Sequence, residues 1–227
     1  MFLKKIIITL LFLCFTNLLA AAELKGDGVP DNAYLDGGVS DRAVILCHGR
    51  GQHPTWDVVD PLRKGIHEQL GYHTVSLQMP APGGNWRAYE EHFPDAYARI
   101  AATVKVLQQK GIKRIFLMGH SMGTRMATAY LANNDNHGIS GYIGIGMRNA
   151  KFGGPMDSAS NLEEIEIPVI DIYGDGGDGK DEKHAARRED LVSDTYKQVL
   201  ISGADHRFSY HEDEMVKAVV DWLRTEK

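Results

Sequence analysis

At 227 residues, 43% hydrophobic and 24% charged, with a formal net charge of −5, the chain has the composition of one sizeable soluble globular domain rather than two. The acidic balance argues against nucleic acid or an anionic membrane surface as the main partner. Of two cysteines, Cys14 lies in the N-terminal apolar block. Cys47 ends the apolar run "AVILC" and reads as a small buried hydrophobe, so no intramolecular disulfide is expected once the block is gone.

Residues 1–22 stand apart: "MFLKK" is a short basic start, "IIITLLFLCFTNLLA" an apolar block, and "AAA" offers small residues for cleavage. This is the three-part layout of a secretory signal peptide. The apolar run is short for a membrane span and is interrupted by Thr16 and Asn17. A secreted or periplasmic protein is expected, with no stable membrane insertion after cleavage; a retained signal would anchor it. Loss of Lys4 and Lys5 leaves 23 basic against 30 acidic residues, a net charge of −7.

Residues 23–41 are polar and aperiodic and read as a surface leader, followed by a single domain over 42–227. "AVILCHG" (43–49) is a continuous apolar run ended by glycine, typical of a strand buried on both faces. A helix is predicted over 57–70, with Val58, Leu62, Ile66 and Leu70 on one face, and a strand over 73–80. "PAPGGNW" (80–86) is a loop by composition. Ala96, Ile100, Ala101, Val104 and Leu107 then line one face of a helix over 95–110.

The alternation continues. A strand over 113–120 runs into a helix over 121–134, with Met122, Met126, Ala129 and Tyr130 recurring at helical spacing. Strands are predicted at 142–146, 167–174 and 197–203. A closing helix over 212–226 turns Met215, Val216, Val219, Trp222 and Leu223 inward. The charged stretch 176–190 reads as a partly helical surface insertion. Strands separated by helices predict an α/β fold, a mainly parallel sheet with helices on both faces.

In such a sheet, ligands meet the protein beyond the carboxyl ends of the strands. Ser121 sits there in "GHSMG" (119–123), strand before and helix after, the arrangement of a Gly-x-Ser-x-Gly nucleophile elbow. An N-cap serine in a glycine-lined turn is the bland alternative. A nucleophilic serine needs a base, and the base an orienting acid. His206, past the last strand in "ADHRF", is the candidate base. Asp175, directly after its strand in "YGD", is the candidate acid, with Asp178 its rival; Asp171 within the strand is expected to point into helix packing. In "CHGRGQH" (47–53), Gly49 and Gly51 permit close approach. The Arg50 backbone N–H, with that of Met122, is the candidate oxyanion donor, and His48 is read as a brace for the loop. Trp56, Trp86, Met147 and Phe152 sit on loops that would wall a substrate pocket. "DGGDGKD" (175–181) supplies oxygen donors but lacks the alternating spacing of a calcium loop, and no metal site is expected.

"HGRG", "GHSMG", "YGD" and "ADHRF", in that order, resemble a small member of the α/β-hydrolase superfamily over nearly all of 43–226. The resemblance implies a Ser121–His206–Asp175 triad, no cofactor, and an acyl-enzyme intermediate hydrolysed by water. Only residues 147–165 separate two of the strands where larger relatives carry a long insertion, so any lid is minimal. The expected function is a serine hydrolase, carboxylesterase-like, acting as a monomer on a small-molecule ester or thioester. A peptidase or amidase on the same triad is one alternative, and a non-catalytic small-molecule-binding protein on this fold is another.

Overall fold

The computed structural model describes residues 32–150 and 154–226. Residues 1–22, read as a signal peptide, and Phe152 lie outside the described residues. Seven strands form one sheet in the order β1-β3-β2-β4-β5-β6-β7. They are β1 (Ala33–Leu35), β2 (Arg42–Cys47), β3 (His73–Leu77), β4 (Arg114–His120), β5 (Gly141–Ile145), β6 (Val169–Gly174) and β7 (Tyr196–Ile201). All neighbouring pairs are parallel except β1 with β3. The edge strand β1 falls inside the stretch read as a surface leader. Three residues are too few to show alternation, so pairing with β3 rather than local pattern makes it a strand.

The helices are α1 (Val59–Leu70), α2 (Phe93–Gln109), α3 (Met122–Ala132), α4 (Ser158–Glu163), α5 (Lys180–Ala186) and α6 (Glu212–Thr225), with a 3-10 helix at Trp86–His92 before α2. Successive strand residues point to opposite faces, and this alternation divides the core in two. Ala43, Ile45 and Cys47 of β2 and Ile115 and Leu117 of β4 pack with α2 and α3. Val44, Leu46, Phe116 and Met118 pack on the other face with α1 and α6. The inward positions predicted for α3 and α6 are buried, whereas Ala101 of α2 is exposed: the buried stripe runs through Ile100, Thr103, Val104 and Leu107.

The chain leaves β2 toward β3 on one side of the sheet, and β4 lies on the other. The carboxyl ends of β2 and β4 therefore flank a topological switch point, where a crevice opens in sheets of this kind. Cys47 is in register with Gly119 there, which brings the 48–51 loop beside the β4–α3 turn.

Candidate active site

Ser121 occupies the turn between β4 and α3 with φ 54 and ψ −113, a left-handed backbone that a non-glycine residue rarely adopts. The turn closes because Gly123 has no side chain: a Cβ there would lie 2.1 Å from the carbonyl oxygen of Cys47. The Ser121 N–H donates to the Ile145 carbonyl of β5, and its carbonyl accepts from Thr124, which fixes the bend from both sides. Strain and glycine contact together hold the hydroxyl above the sheet at the amino end of α3.

His206 Nε2 lies 2.9 Å from Ser121 Oγ, and His206 Nδ1 lies 2.6 Å from Asp181 Oδ2. The carboxylate accepts from Nδ1–H, which leaves Nε2 as the acceptor for the serine hydroxyl. Asp181 Oδ1 accepts from Arg148 Nε at 2.7 Å. Burial works to raise the Asp181 pKa, but the hydrogen bonds and charges of His206 and Arg148 outweigh it and leave it lowered. The carboxyl is 4% exposed. Gly146, at the end of β5 with φ 57, makes room for the pair: a Cβ there would sit 3.1 Å from His206 Nδ1. His120 Nε2–H donates to the His206 carbonyl at 3.0 Å, and Asp205 accepts from the Arg207 and Ser209 amides, so the histidine loop is tied down on two sides.

Asp175, the expected acid, is elsewhere. Its Oδ1 accepts from the Gly203 N–H at 2.5 Å, so it ties the end of β6 to the loop after β7 and stays at the surface. The rival Asp178 lies just before α5, accepting from the Lys180 amide and lying 2.6 Å from Lys180 Nζ and 3.5 Å from Arg148 Nη2. Each strand-end aspartate has its own local partner, and the glycine-rich turn 176–179 carries the chain on to α5, whose first turn points Asp181 inward. Arg148 touches both Asp178 and Asp181, but of the three aspartates Asp181 is the one bonded to His206. The stretch read as a partly helical surface insertion is largely exposed, but it also carries a buried support: Asp181, Ala185 and Arg188, at i, i+4 and i+7, form its inward face. That spacing was readable, but two of its three members are charged, so no hydrophobic pattern marked it.

Arg50, Met122 and Trp86 line a cleft of about 480 Å³ over Ser121. Among the described residues, neither the Arg50 nor the Met122 amide donates to a backbone oxygen. Trp56 and Met147, expected on the pocket wall, are not among the residues lining this cleft. Trp56 packs against the core beneath α1 and edge-on to His53, and Met147 is fully buried with its sulfur 3.8 Å from the Tyr142 hydroxyl. Pattern reading treated loop hydrophobes as wall, whereas these two are drawn under by the apolar area they bury. His48 does brace its loop: Nδ1–H donates to the Gly49 carbonyl and Nε2 accepts from the Met79 amide. Burial pushes the Cys47 thiol pKa far up, which makes it inert. His206 also lines it, as do Gln52, His120, Arg125, Arg148, His184 and Arg207, none of these six anticipated from sequence as lining.

A strand-end serine bonded to a histidine, itself bonded to a buried carboxylate, is the arrangement of nucleophile, base and orienting acid. The family model for the alpha/beta hydrolase fold matches residues 42–196, well over half of the sequence, and the chain belongs to that family. Over 111 residues it is 29% identical to the 2-succinyl-6-hydroxy-2,4-cyclohexadiene-1-carboxylate synthase of Serratia proteamaculans (strain 568), a match covering 48% of this chain and only 40% of that relative. Among solved structures, Est1E from Butyrivibrio proteoclasticus with ferulic acid bound superposes with a TM-score of 0.69 at 14% identity, covering 86% of this chain and 94% of that one. XC6422 from Xanthomonas campestris, described as a serine hydrolase without a lid, gives 0.67 at 17% identity, covering 86% and 88%. At such identities the two structures establish the fold alone.

Proposed function

We propose that the protein is a serine hydrolase that cleaves a carboxylic ester or thioester through an acyl-enzyme. The observation that carries the reading is the unbroken chain Ser121 Oγ, His206, Asp181 at the switch point of the sheet. Nε2 of His206 takes the Ser121 proton as Oγ bonds to the substrate carbonyl carbon. The oxyanion that forms is held by the Arg50 and Met122 amides. The imidazolium, stabilised by Asp181, gives its proton to the departing alcohol or thiol as the bond to the carbonyl carbon breaks. Water repeats the sequence: His206 takes its proton, the acyl–Oγ bond breaks, and the proton returns to Ser121. Est1E with ferulic acid and the lidless XC6422 are consistent with a small acyl group entering an open cleft. As part of the same proposal the chain is exported on a cleaved N-terminal signal and acts as a monomer on a small molecule.

A fluorophosphonate probe followed by peptide mass spectrometry tests the reading. Labelling at Ser121 in the wild type, absent in Ser121→Ala, is expected, together with turnover of p-nitrophenyl esters that falls by about 10⁶-fold in the variant. A folded wild-type protein that takes no label would sink the catalytic reading, and product analysis with paired ester and amide substrates decides between esterase and amidase.

A further inference from the structure

The cleft over Ser121 carries a charge opposite to that of the chain. Its lining includes Arg50, Arg125, Arg148 and Arg207 and no aspartate or glutamate, in a protein of net charge −5. Two of the four guanidinium groups have carboxylate partners: Arg148 lies against Asp181 and Asp178, and Arg207 reaches Asp57 at 3.6 Å. Among the described residues, Arg50 and Arg125 have no carboxylate within 4.0 Å.

Arg125 is the informative member. It stands four residues after Ser121, one helical turn on, and helical side chains lean back toward the amino end, which brings its guanidinium toward the serine. Arg125 Nε donates to the Arg148 carbonyl at 3.0 Å, and the guanidinium carbon lies 5.1 Å from the centre of the Trp86 ring. Nη1 is shielded from solvent and has no hydrogen-bond partner. A shielded, unpaired donor costs about 1–3 kcal/mol, so its persistence beside a nucleophile is explained when a ligand supplies the acceptor. Burial lowers the Arg125 pKa despite the opposing pull of Asp157, whose carboxylate caps α4 instead. A planar guanidinium braced at Nε and set against an aromatic plate keeps its outer N–H groups free of any carboxylate among the described residues, and paired outer N–H groups are what grips a carboxylate or phosphate in two places.

We propose that the ester or thioester hydrolysed at Ser121 carries an anionic substituent, a carboxylate or a phosphate, that is seated on Arg125 with Arg50 closing over it. The proposal rests on the serine-hydrolase reading and adds the substrate class. Arg125 is a binding residue in it, and the net positive cleft draws the anion in from solution.

Paired substrates test it. The wild-type protein is given p-nitrophenyl butyrate, the mono-p-nitrophenyl ester of succinic acid, and a p-nitrophenyl ester of a phosphorylated hydroxy acid of similar length. A kcat/KM preference of roughly 10-fold or more for at least one anionic ester is expected from a charge-assisted pair, and which of the two is preferred tells carboxylate from phosphate. The ratio of anionic to neutral turnover is expected to collapse in Arg125→Gln, to recover in part in Arg125→Lys, and to shrink as salt rises from about 0.01 M to 1 M. Equal or better turnover of the neutral ester by wild-type protein that labels at Ser121 overturns the proposal and leaves the hydrolase reading intact. Should Arg125→Gln not fold, Arg50→Gln on the exposed loop reads the same ratio. If the wild type takes no label, calorimetric titration with succinate or inorganic phosphate still decides the anion site. Saturable binding weakened in either variant supports it, and no binding overturns it.

Discussion

Two charged clusters in this fold are built around arginine, on opposite terms. Beneath the active site, Arg188 and Asp171 are both 0% exposed, and the guanidinium meets the carboxylate through Nε and Nη2 at 2.8–3.0 Å. Tyr196 and Gln198 donate to the same carboxylate. Arg188 Nη1 donates to the carbonyls of Met147 and His184 and to Asn149. Burial alone would lower the Arg188 pKa, but Asp171 and Tyr196 reverse it, so the charge is held firmly. In the cleft above, Arg125 has a shielded nitrogen with no partner and Arg50 stands free of carboxylates among the described residues. A sealed, fully partnered arginine is a strut: it joins β6, β7 and α5 and faces no crevice. Under the proposal above, the under-partnered arginine beside Ser121 is instead a receptor.

Asp181 sits at the seam between the clusters, accepting from Arg148 of the cleft while its helix is anchored by Arg188. The largest effect is expected there. Asp181→Asn keeps the shape but removes the charge that fixes the His206 tautomer and stabilises its protonated form, so kcat falls by about 10⁴-fold. Asp175→Asn, at the surface tie to Gly203, leaves kcat within about threefold, as for a surface substitution. The reverse ranking in steady-state assays would return the acid role to Asp175.

Breaking the strut is next. Asp171→Ala leaves Arg188 buried without its counter-charge and is expected to destabilise the fold by about 3–5 kcal/mol in urea unfolding. The double variant Asp171→Leu with Arg188→Met recovers much of the loss, because a buried pair can be replaced more cheaply than halved. A single variant within 1 kcal/mol of wild type would show that the pair is no strut.

Buried histidines make the frame sensitive to pH. His48, 1% exposed with both nitrogens bonded, has its pKa lowered to about 4, by burial first, and His120 is lowered to about 3 for the same reason. Since these folded values lie below the unfolded value of 6.5, the unfolded chain takes up protons first as pH falls. Stability from these groups is complete above pH 6.5 and declines through the window down to about 4 for His48 and about 3 for His120. At about 1.4 kcal/mol per unit, His48 alone accounts for on the order of 3 kcal/mol. Urea unfolding followed across this range should show a shallower slope in His48→Gln, and an unchanged slope would count against the assignment.

Most strands and helices around the site follow from apolar runs and helical spacing, while Ser121 is singled out by its Gly-x-Ser-x-Gly turn and His206 by its place after the last strand. What escaped was carried by charge. Asp181, Ala185 and Arg188 lie on one inward face, but only three-dimensional pairing with Asp171 and His206 distinguishes that face from a solvated helix. Asp175 comes first after its strand, but adjacency in sequence does not reveal that its carboxylate accepts from the Gly203 amide. The cleft arginines are scattered over residues 50 to 207 and meet only because β2, β4, β5 and β7 end on one side of the sheet.

The smallest effect separates the clusters most cleanly. Arg207 and Asp57 are 58% and 46% exposed at a separation of 3.6 Å, a pair worth about 0–1 kcal/mol. Arg207→Ala should therefore barely move the unfolding midpoint, unlike any change at Arg188. It still removes one positive charge from the mouth of the cleft, so kcat/KM for an anionic ester should fall by roughly two- to fivefold at low salt, through slower capture. At about 1 M salt, where the screening length is near 3 Å, the difference should vanish. A loss that persists in high salt would mean that Arg207 touches the substrate, and a loss equal for neutral and anionic esters would mean that its charge plays no part.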